Sequence, residues 1–270
     1  MFLPQCSKNG GIRRKFRPCI DIHNGCVKQI VGGSLTDNEN QAKNNFVSEK
    51  KADFYANMYK KDGFKGGHII ILNPAGSTYY NEDIEQAKLA LAAYPGGMQI
   101  GGGVNTDNAE KYLDMGASHV IVTSYVFRDG IIDYDRLKNL SHLVGKERLV
   151  LDLSCRSDGN DYYVVTDRWQ KMTKEKFDSE LLEKLGSYCD EFLVHAVDVE
   201  GKSSGIEKNV VETLGKLEDK AVTYAGGIHS MKDISFIREK GNGRVDFTIG
   251  SALDLFGGKI KYANLKMCNV

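Results

Sequence analysis

An α/β fold is predicted, a closed (β/α)8 barrel (TIM barrel) built from two repeated half-barrels, and three observations carry that prediction. Short β-branched runs alternate with amphipathic segments along the chain, the pattern of βα units around a parallel sheet. There are eight such runs. The second half repeats the first at an offset of roughly 125–130 residues. Two half-barrels close into one ring, whereas a doubly wound open sheet, the competing arrangement, has no twofold reason to repeat.

In chain order the strands are expected at 17–23 (RPCIDIH), 67–73 (GHIIILN), 97–102 (GMQIGG), 119–124 (HVIVTS), 148–154 (RLVLDLS), 191–198 (EFLVHAVD), 220–226 (KAVTYAG) and 245–251 (VDFTIGS). The repeat matches CIDIH with VLDLS, IGGGVNT with AGGIHS, and VIVTS with FTIGS. Helical stretches with a 3.6-residue period lie between them. NEDIEQAKLALAAY places Ile84, Ala87, Leu91 and Ala92 on one face, and DSELLEKLGSY does the same for Leu181, Leu182 and Leu185. Asn81, Thr106 and Ser230 stand where helix N-caps are expected.

A chain of 270 residues is long enough for one large barrel. Residues 17–270 are therefore read as a single barrel domain. Residues 1–16, with Gly10-Gly11 and the basic IRRKF, are read as a flexible arm, either a disordered tail or a targeting remnant. Lys plus Arg equals Asp plus Glu at 36 each, which argues against nucleic acid or a membrane surface as partner and favours a small molecule. Six cysteines without a CxxC pair point to reduced thiols, with no disulfide and no zinc. No run reaches the roughly 18 apolar residues of a membrane span. A soluble cytoplasmic monomer is expected, with the plastid as the alternative compartment if the arm is a targeting remnant.

In such barrels the working residues come from the C-terminal ends of the strands. Asp21 and Asp152 hold matching places in the repeat, each in an apolar strand followed by a polar loop. A strand aspartate can also turn outward to cap a helix or meet an arginine. Symmetric placement favours function instead: two carboxyls in one partly desolvated mouth have their pKa values driven apart, one serving as acid and the other as base.

Gly101, Gly102 and Gly103 follow the third strand, and Gly226 and Gly227 the seventh. A glycine pair can serve turn geometry alone. It can also let the backbone close on an anion, whose charge the N–H groups and a following helix stabilise. Thr123 with Ser124, and Gly250 with Ser251, end the neighbouring strands and complete two matching pockets. Paired phosphate pockets imply a long substrate with a phosphate at each end and the two aspartates between.

The segments PCIDIHNGCVKQIVGG, GGGVNT, VLDLS, RWQ, HAVDVEGKSSGI, YAGGIHS and TIGSALDLFGG resemble the eukaryote-type histidine-biosynthesis barrel isomerases, the phosphoribosylformimino-5-aminoimidazole carboxamide ribotide isomerases. The resemblance runs from about residue 16 to 258 and implies an Amadori rearrangement of an N-linked aminoaldose to an aminoketose on a bis-phosphorylated substrate, without cofactor or metal. It implies Asp21 as the base and Asp152 as the proton donor, with Glu200 a rival donor. Trp169 is expected to stack on the substrate heterocycle or to anchor its loop. Arg168 beside it supports a phosphate or a carboxamide, or faces solvent.

Several positions depart from the common bacterial pattern. Val194-His195-Ala196 stands in place of Tyr-Thr-Asp, so His195 either bonds the opened sugar, orients a carboxylate, or is structural. Asn105 replaces an arginine and Asn73 an aspartate, which unsettles ligand contacts on that side. Three alternatives stand beside the isomerase: the sister imidazole glycerol phosphate cyclase, phosphoribosylanthranilate isomerase, which acts on a substrate with one phosphate, and a non-catalytic phosphometabolite-binding barrel.

Overall fold

The computed structural model describes residues 15–31, 44–167, 169–202 and 204–266. Eight parallel strands form in the expected places: β1 (Cys19–His23), β2 (Gly67–Ile71), β3 (Met98–Gly101), β4 (Val120–Val122), β5 (Leu149–Asp152), β6 (Glu191–His195), β7 (Ala221–Ala225) and β8 (Val245–Phe247). Each pairs with the next in sequence. The ring closes through a parallel bridge between Phe16 and Phe247, where the Arg17 N–H donates to the Phe247 carbonyl at 2.8 Å. The fold is the (β/α)8 barrel.

Side chains alternate across the sheet with period two, and this alternation sorts the residues into two regions. Ile20, Ile22, Ile69, Met98, Ile100, Phe192, Val194, Tyr224 and Phe247 pack outward into one apolar layer against the helices. Ile121, Val150, Leu193 and Ala225, with Ile70, form a small separate cluster. These five residues share the inward register. Polar groups occupy both sides of that layer. Towards the strand starts, Glu191 accepts from Gln99 at 2.8 Å and from Thr223 at 2.7 Å, and Arg17 bridges Glu191 and Asp246. Stability is expected of that end of a barrel, and a buried carboxylate there is tolerable because each oxygen is matched by donors.

Among the described residues eight α-helices cover the sheet, α1 (Ala52–Lys61), α2 (Tyr80–Ala93), α3 (Ala109–Asp114), α4 (Tyr134–Val144), α5 (Ser179–Gly186), α6 (Lys208–Leu214), α7 (Met231–Lys240) and α8 (Tyr262–Leu265). Leu181, Leu182 and Leu185 are buried on α5 as expected. On α2 the buried face is Asp83, Ala87, Ala90 and Leu91; Ala92 is exposed. Ser230 is an N-cap and forms a capping box with Asp233. Asn81 and Thr106 are not caps: Asn81 lies inside α2, and the Thr106 hydroxyl bonds Tyr125 at 3.0 Å.

Phe16, which the sequence places in the arm, is fully buried against Phe64 and Phe247, and Lys15 N–H donates to Asp246. The rest of the expected arm, 1–14, lies outside the described residues. Two departures from bare βα alternation shape the mouth. After β1 the chain turns at Asn24-Gly25, both at positive φ, into an antiparallel strand Cys26–Ile30. After β5 a three-stranded sheet, Cys155–Ser157, Tyr162–Thr166 and Lys171–Lys176, carries Trp169. The cysteines Cys19, Cys26, Cys155 and Cys189 are free thiols. No helix among the described residues is long and apolar enough to cross a membrane.

Candidate active site

A cavity of about 590 Å³ occupies the mouth at the C-terminal ends of the strands. Asp21 lines it from β1. The hairpin strand Cys26–Ile30 returns alongside β1 and brings Gln29 over, whose Nε2 donates to Asp21 Oδ2 at 3.0 Å. Gly250 leaves room for Gln29 in this position: a Cβ there would meet Gln29 Oε1 and displace the end of that side chain. Burial drives the Asp21 carboxyl up to about 7, helped by the Glu200 carboxylate and opposed by His195 and the Gln29 amide.

Asp152 lines the same cavity from β5. Ser154 Oγ donates to its Oδ1 at 2.7 Å, and His195 Nδ1 lies 3.4 Å from Oδ1 and 3.3 Å from Oδ2. Trp169, held at a positive φ of 69°, donates from Nε1 to Ser154 Oγ at 3.0 Å and sets its ring 5.7 Å from the His195 ring. His195 therefore joins the Asp152 cluster. Burial alone would lower its imidazole, but the charge and hydrogen bond of Asp152, then Glu200 and Asp21, reverse this and raise it to about 9. His68 lies 6.1 Å away edge-on; burial, then the His195 charge, holds it down at about 3. Glu200 also lines the cavity, its carboxyl raised by burial and restrained by His195 and the Gly201 N–H.

The glycine turns flank these groups. Gly102 and Gly103 (φ 107° and 67°) lie with Thr123 and Ser124, and Gly226 and Gly227 (φ 120° and 68°) with Gly250 and Ser251; all eight line the one cavity. Space as well as conformation excludes side chains at three of them. A Cβ would strike the Ile71 carbonyl from Gly102, the Ala196 carbonyl from Gly226 and the Gly205 carbonyl from Gly227. Gly103 meets nothing, so only its backbone conformation asks for glycine. Ser124 has a second task, since its Oγ accepts the Asp167 N–H at 2.8 Å and ties the first pocket to the Trp169 loop.

Asn73 and Asn105 are engaged locally. Asn73 exchanges hydrogen bonds with Asn24 at 2.7 and 2.9 Å and so pins the hairpin turn, while Asn105 shapes the turn into α3 by accepting from Asp107 N–H. Arg168 lies outside the described residues. The structure adds Gln29, Ser154 and His68 to the residues expected from sequence. The Asn24-Gly25 turn, which folds the next strand back on Asp21, is the sequence signal that could have found Gln29; no local pattern marks the other two. Among the described residues, Cys19, Asp21 and His68 are the only group whose donor atoms all lie within 4.8 Å of one another as a metal would need. The Gln29 amide already engages both Cys19 and Asp21.

Paired carboxylates and paired glycine pockets in one mouth are the layout of a (β/α)8-barrel enzyme. The chain belongs to the family described as histidine biosynthesis protein, which matches residues 15–261. It is 52% identical to the chloroplastic 1-(5-phosphoribosyl)-5-((5-phosphoribosylamino)methylideneamino)imidazole-4-carboxamide isomerase of Medicago truncatula, over 93% of this chain and 80% of the relative. Isomerases of the same description from Yarrowia lipolytica and Saccharomyces cerevisiae are 46% and 42% identical, over 93% and 91% of this chain and 96% and 94% of theirs.

Proposed function

We propose that this chain catalyses the aldose–ketose (Amadori) isomerisation of its relatives' substrate class, an imidazole-carboxamide ribotide carrying a second phosphoribosyl group. The observation that carries this reading is the shared cavity: Asp21 on β1 and Asp152 at the end of the equivalent β5 both line it, with one glycine pocket on either side. The two phosphates occupy the pockets of Gly102, Gly103, Thr123 and Ser124, and of Gly226, Gly227, Gly250 and Ser251. That fixes the sugar between the carboxylates and lowers the entropic part of the barrier.

The chemistry needs an acid at the furanose ring oxygen and a base at C2′. Asp21 is the base. A carboxylate at about 7 is half ionised near neutral pH and is a strong enough acceptor for a C–H proton next to an iminium. The acid acts from the Asp152 side of the mouth, with Glu200 as the rival. Trp169, anchored to Ser154, presents its ring beside that acid, where the flat imidazole-carboxamide stacks.

The relatives reported above are named isomerases, which favours this reading over the cyclase and over a non-catalytic barrel. We propose a monomer that acts without cofactor, nucleic acid or membrane. The cytoplasm is its proposed compartment, and the chloroplastic name of the Medicago relative favours the plastid as the second reading. Turnover of the bis-phosphate aminoaldose by wild type, Asp21→Asn and Asp152→Asn tests the assignment. Loss of at least roughly 10²-fold in kcat is expected in each variant; an active Asp21→Asn enzyme overturns the base assignment.

A further inference from the structure

We infer that the proton delivered to the ring oxygen is held by His195, and that Asp152 is the ionised partner that keeps it there. This rests on the isomerase reading and assigns the donor within it.

The direction of the hydrogen bonds carries the argument. An indole N–H is a donor only. Ser154 Oγ accepts it from Trp169 Nε1 at 3.0 Å, and the serine's own hydrogen then points to Asp152 Oδ1 at 2.7 Å. His195 Nδ1 approaches the same carboxyl from the other side, 3.3 Å from Oδ2. Asp152 thus accepts from Ser154, and with a proton on His195 Nδ1 it accepts from both neighbours, which is the bonding of a carboxylate. A carboxylic acid here would need a neutral His195 with a bare Nδ1 to accept its hydrogen, and the charges facing the ring decide between the two arrangements.

The charges around the imidazole agree. Asp152 faces it from β5, Asp21 from β1 and Glu200 from the loop after β6. His68, facing it from β2, is held neutral by burial. In the covering loop, Asp167 and Lys171 pair with each other at 2.7 Å. Three carboxyl groups around one ring favour the imidazolium, with Nδ1 committed to Asp152 and Nε2 left to serve the substrate. Trp169 also takes part: by donating to Ser154 Oγ it leaves the serine hydrogen to Asp152 and so stabilises the charge on His195.

The steps balance. His195 Nε2 gives its proton to the ring oxygen as the C1′–O bond breaks, its electron pair stays on that oxygen, and the nitrogen lone pair forms C1′=N. Asp21 takes the C2′ proton; the C–H pair becomes C1′=C2′ and the nitrogen recovers its lone pair. The C2′ hydroxyl then returns a proton to neutral His195 while C1′ takes the proton from Asp21, forming the C2′ ketone. Both residues end as they began.

The test uses the full chain with labelled histidine, following the His195 ring resonances by NMR from neutral to alkaline pH in wild type and in Asp152→Asn. The pH dependence of kcat/KM is measured in wild type, His195→Asn and Trp169→Phe. The expected wild-type result is an imidazolium at neutral pH that titrates near about 9, with its titration moved to lower pH in Asp152→Asn. The alkaline limb of kcat/KM should follow that titration, move to lower pH in Trp169→Phe and vanish in His195→Asn, whose kcat falls roughly 10²–10⁴-fold. A neutral His195 at neutral pH overturns the inference, as does a His195→Asn enzyme that keeps the wild-type limb with kcat within a few-fold. A wild type that does not turn over the aminoaldose overturns the isomerase reading and the donor role with it, and the titration then stands as a charge state alone.

Discussion

The Gln29 amide donates to Asp21 Oδ2 at 3.0 Å, and it opposes the burial that raises the proposed base. A hydrogen bond to a charged group contributes about 1.5–3 kcal/mol, or about 1–2 pH units on the group it stabilises. In Gln29→Leu the Asp21 carboxyl therefore holds its proton to higher pH, and the acidic limb of kcat/KM moves upward by about that amount. An unmoved limb, with the variant folded, removes Gln29 from the control of the base.

Asp21 also costs the fold stability. Its folded value of about 7 lies above the ordinary 3.8, so between those values the folded chain holds a proton that the unfolded chain has released. The associated stability is complete below the unfolded value and is lost as pH rises through the folded one. Asp21→Asn removes that loss. Denaturant unfolding at about pH 8 should show the variant more stable than wild type by roughly 1–4 kcal/mol, with the gap closing towards about pH 4.

Gly103 and Gly227 separate a pocket effect from a packing effect. Both have positive φ, 67° and 68°, but a Cβ meets nothing at Gly103 and the Gly205 carbonyl at Gly227. Gly103→Ala should lose only about 1–2 kcal/mol of stability, while its methyl group, placed at the pocket wall, raises KM roughly tenfold or more. Gly227→Ala should lose more stability as well as affinity. Steady-state kinetics beside thermal melts distinguish the two patterns.

Ser124 ties the first pocket to the loop that carries Trp169, the chain's one tryptophan. Inorganic phosphate or a product analogue should therefore change Trp169 fluorescence, and Ser124→Ala should weaken the change along with the affinity. An equal change in both proteins breaks the proposed link between pocket and loop.

The barrel was legible because its signals are local. Short apolar, β-branched runs such as 69–72 and 192–194 mark strands buried on both faces, and the turns that feed the mouth require glycine at Gly102, Gly226 and Gly227. The half-barrel repeat placed Asp21 and Asp152 at matching positions of equivalent strands, and both line the cavity. Other local readings fell short. Thr106 and Asn81 have the right residue type for a cap, but the bonds at a helix start depend on the turn before it, which at α3 is built by Asn105 and Asn108. Phe16 follows a basic stretch, yet the gap between β8 and β1 draws it into the core.

The acid–base machinery was the least legible. Asp152, Ser154, Trp169 and His195 come from two strands and a loop, and each is ambiguous alone. By itself the sequence determined the barrel, its twofold repeat and the carboxylates and glycines at its mouth, because apolar runs, helical periodicity and φ preference act between near neighbours. Packing assigned Gln29 to Asp21, His195 to Asp152 and Ser154 to Trp169. A proton's position depends on burial and on which donors converge from distant segments, and those quantities exist only once the chain has closed on itself.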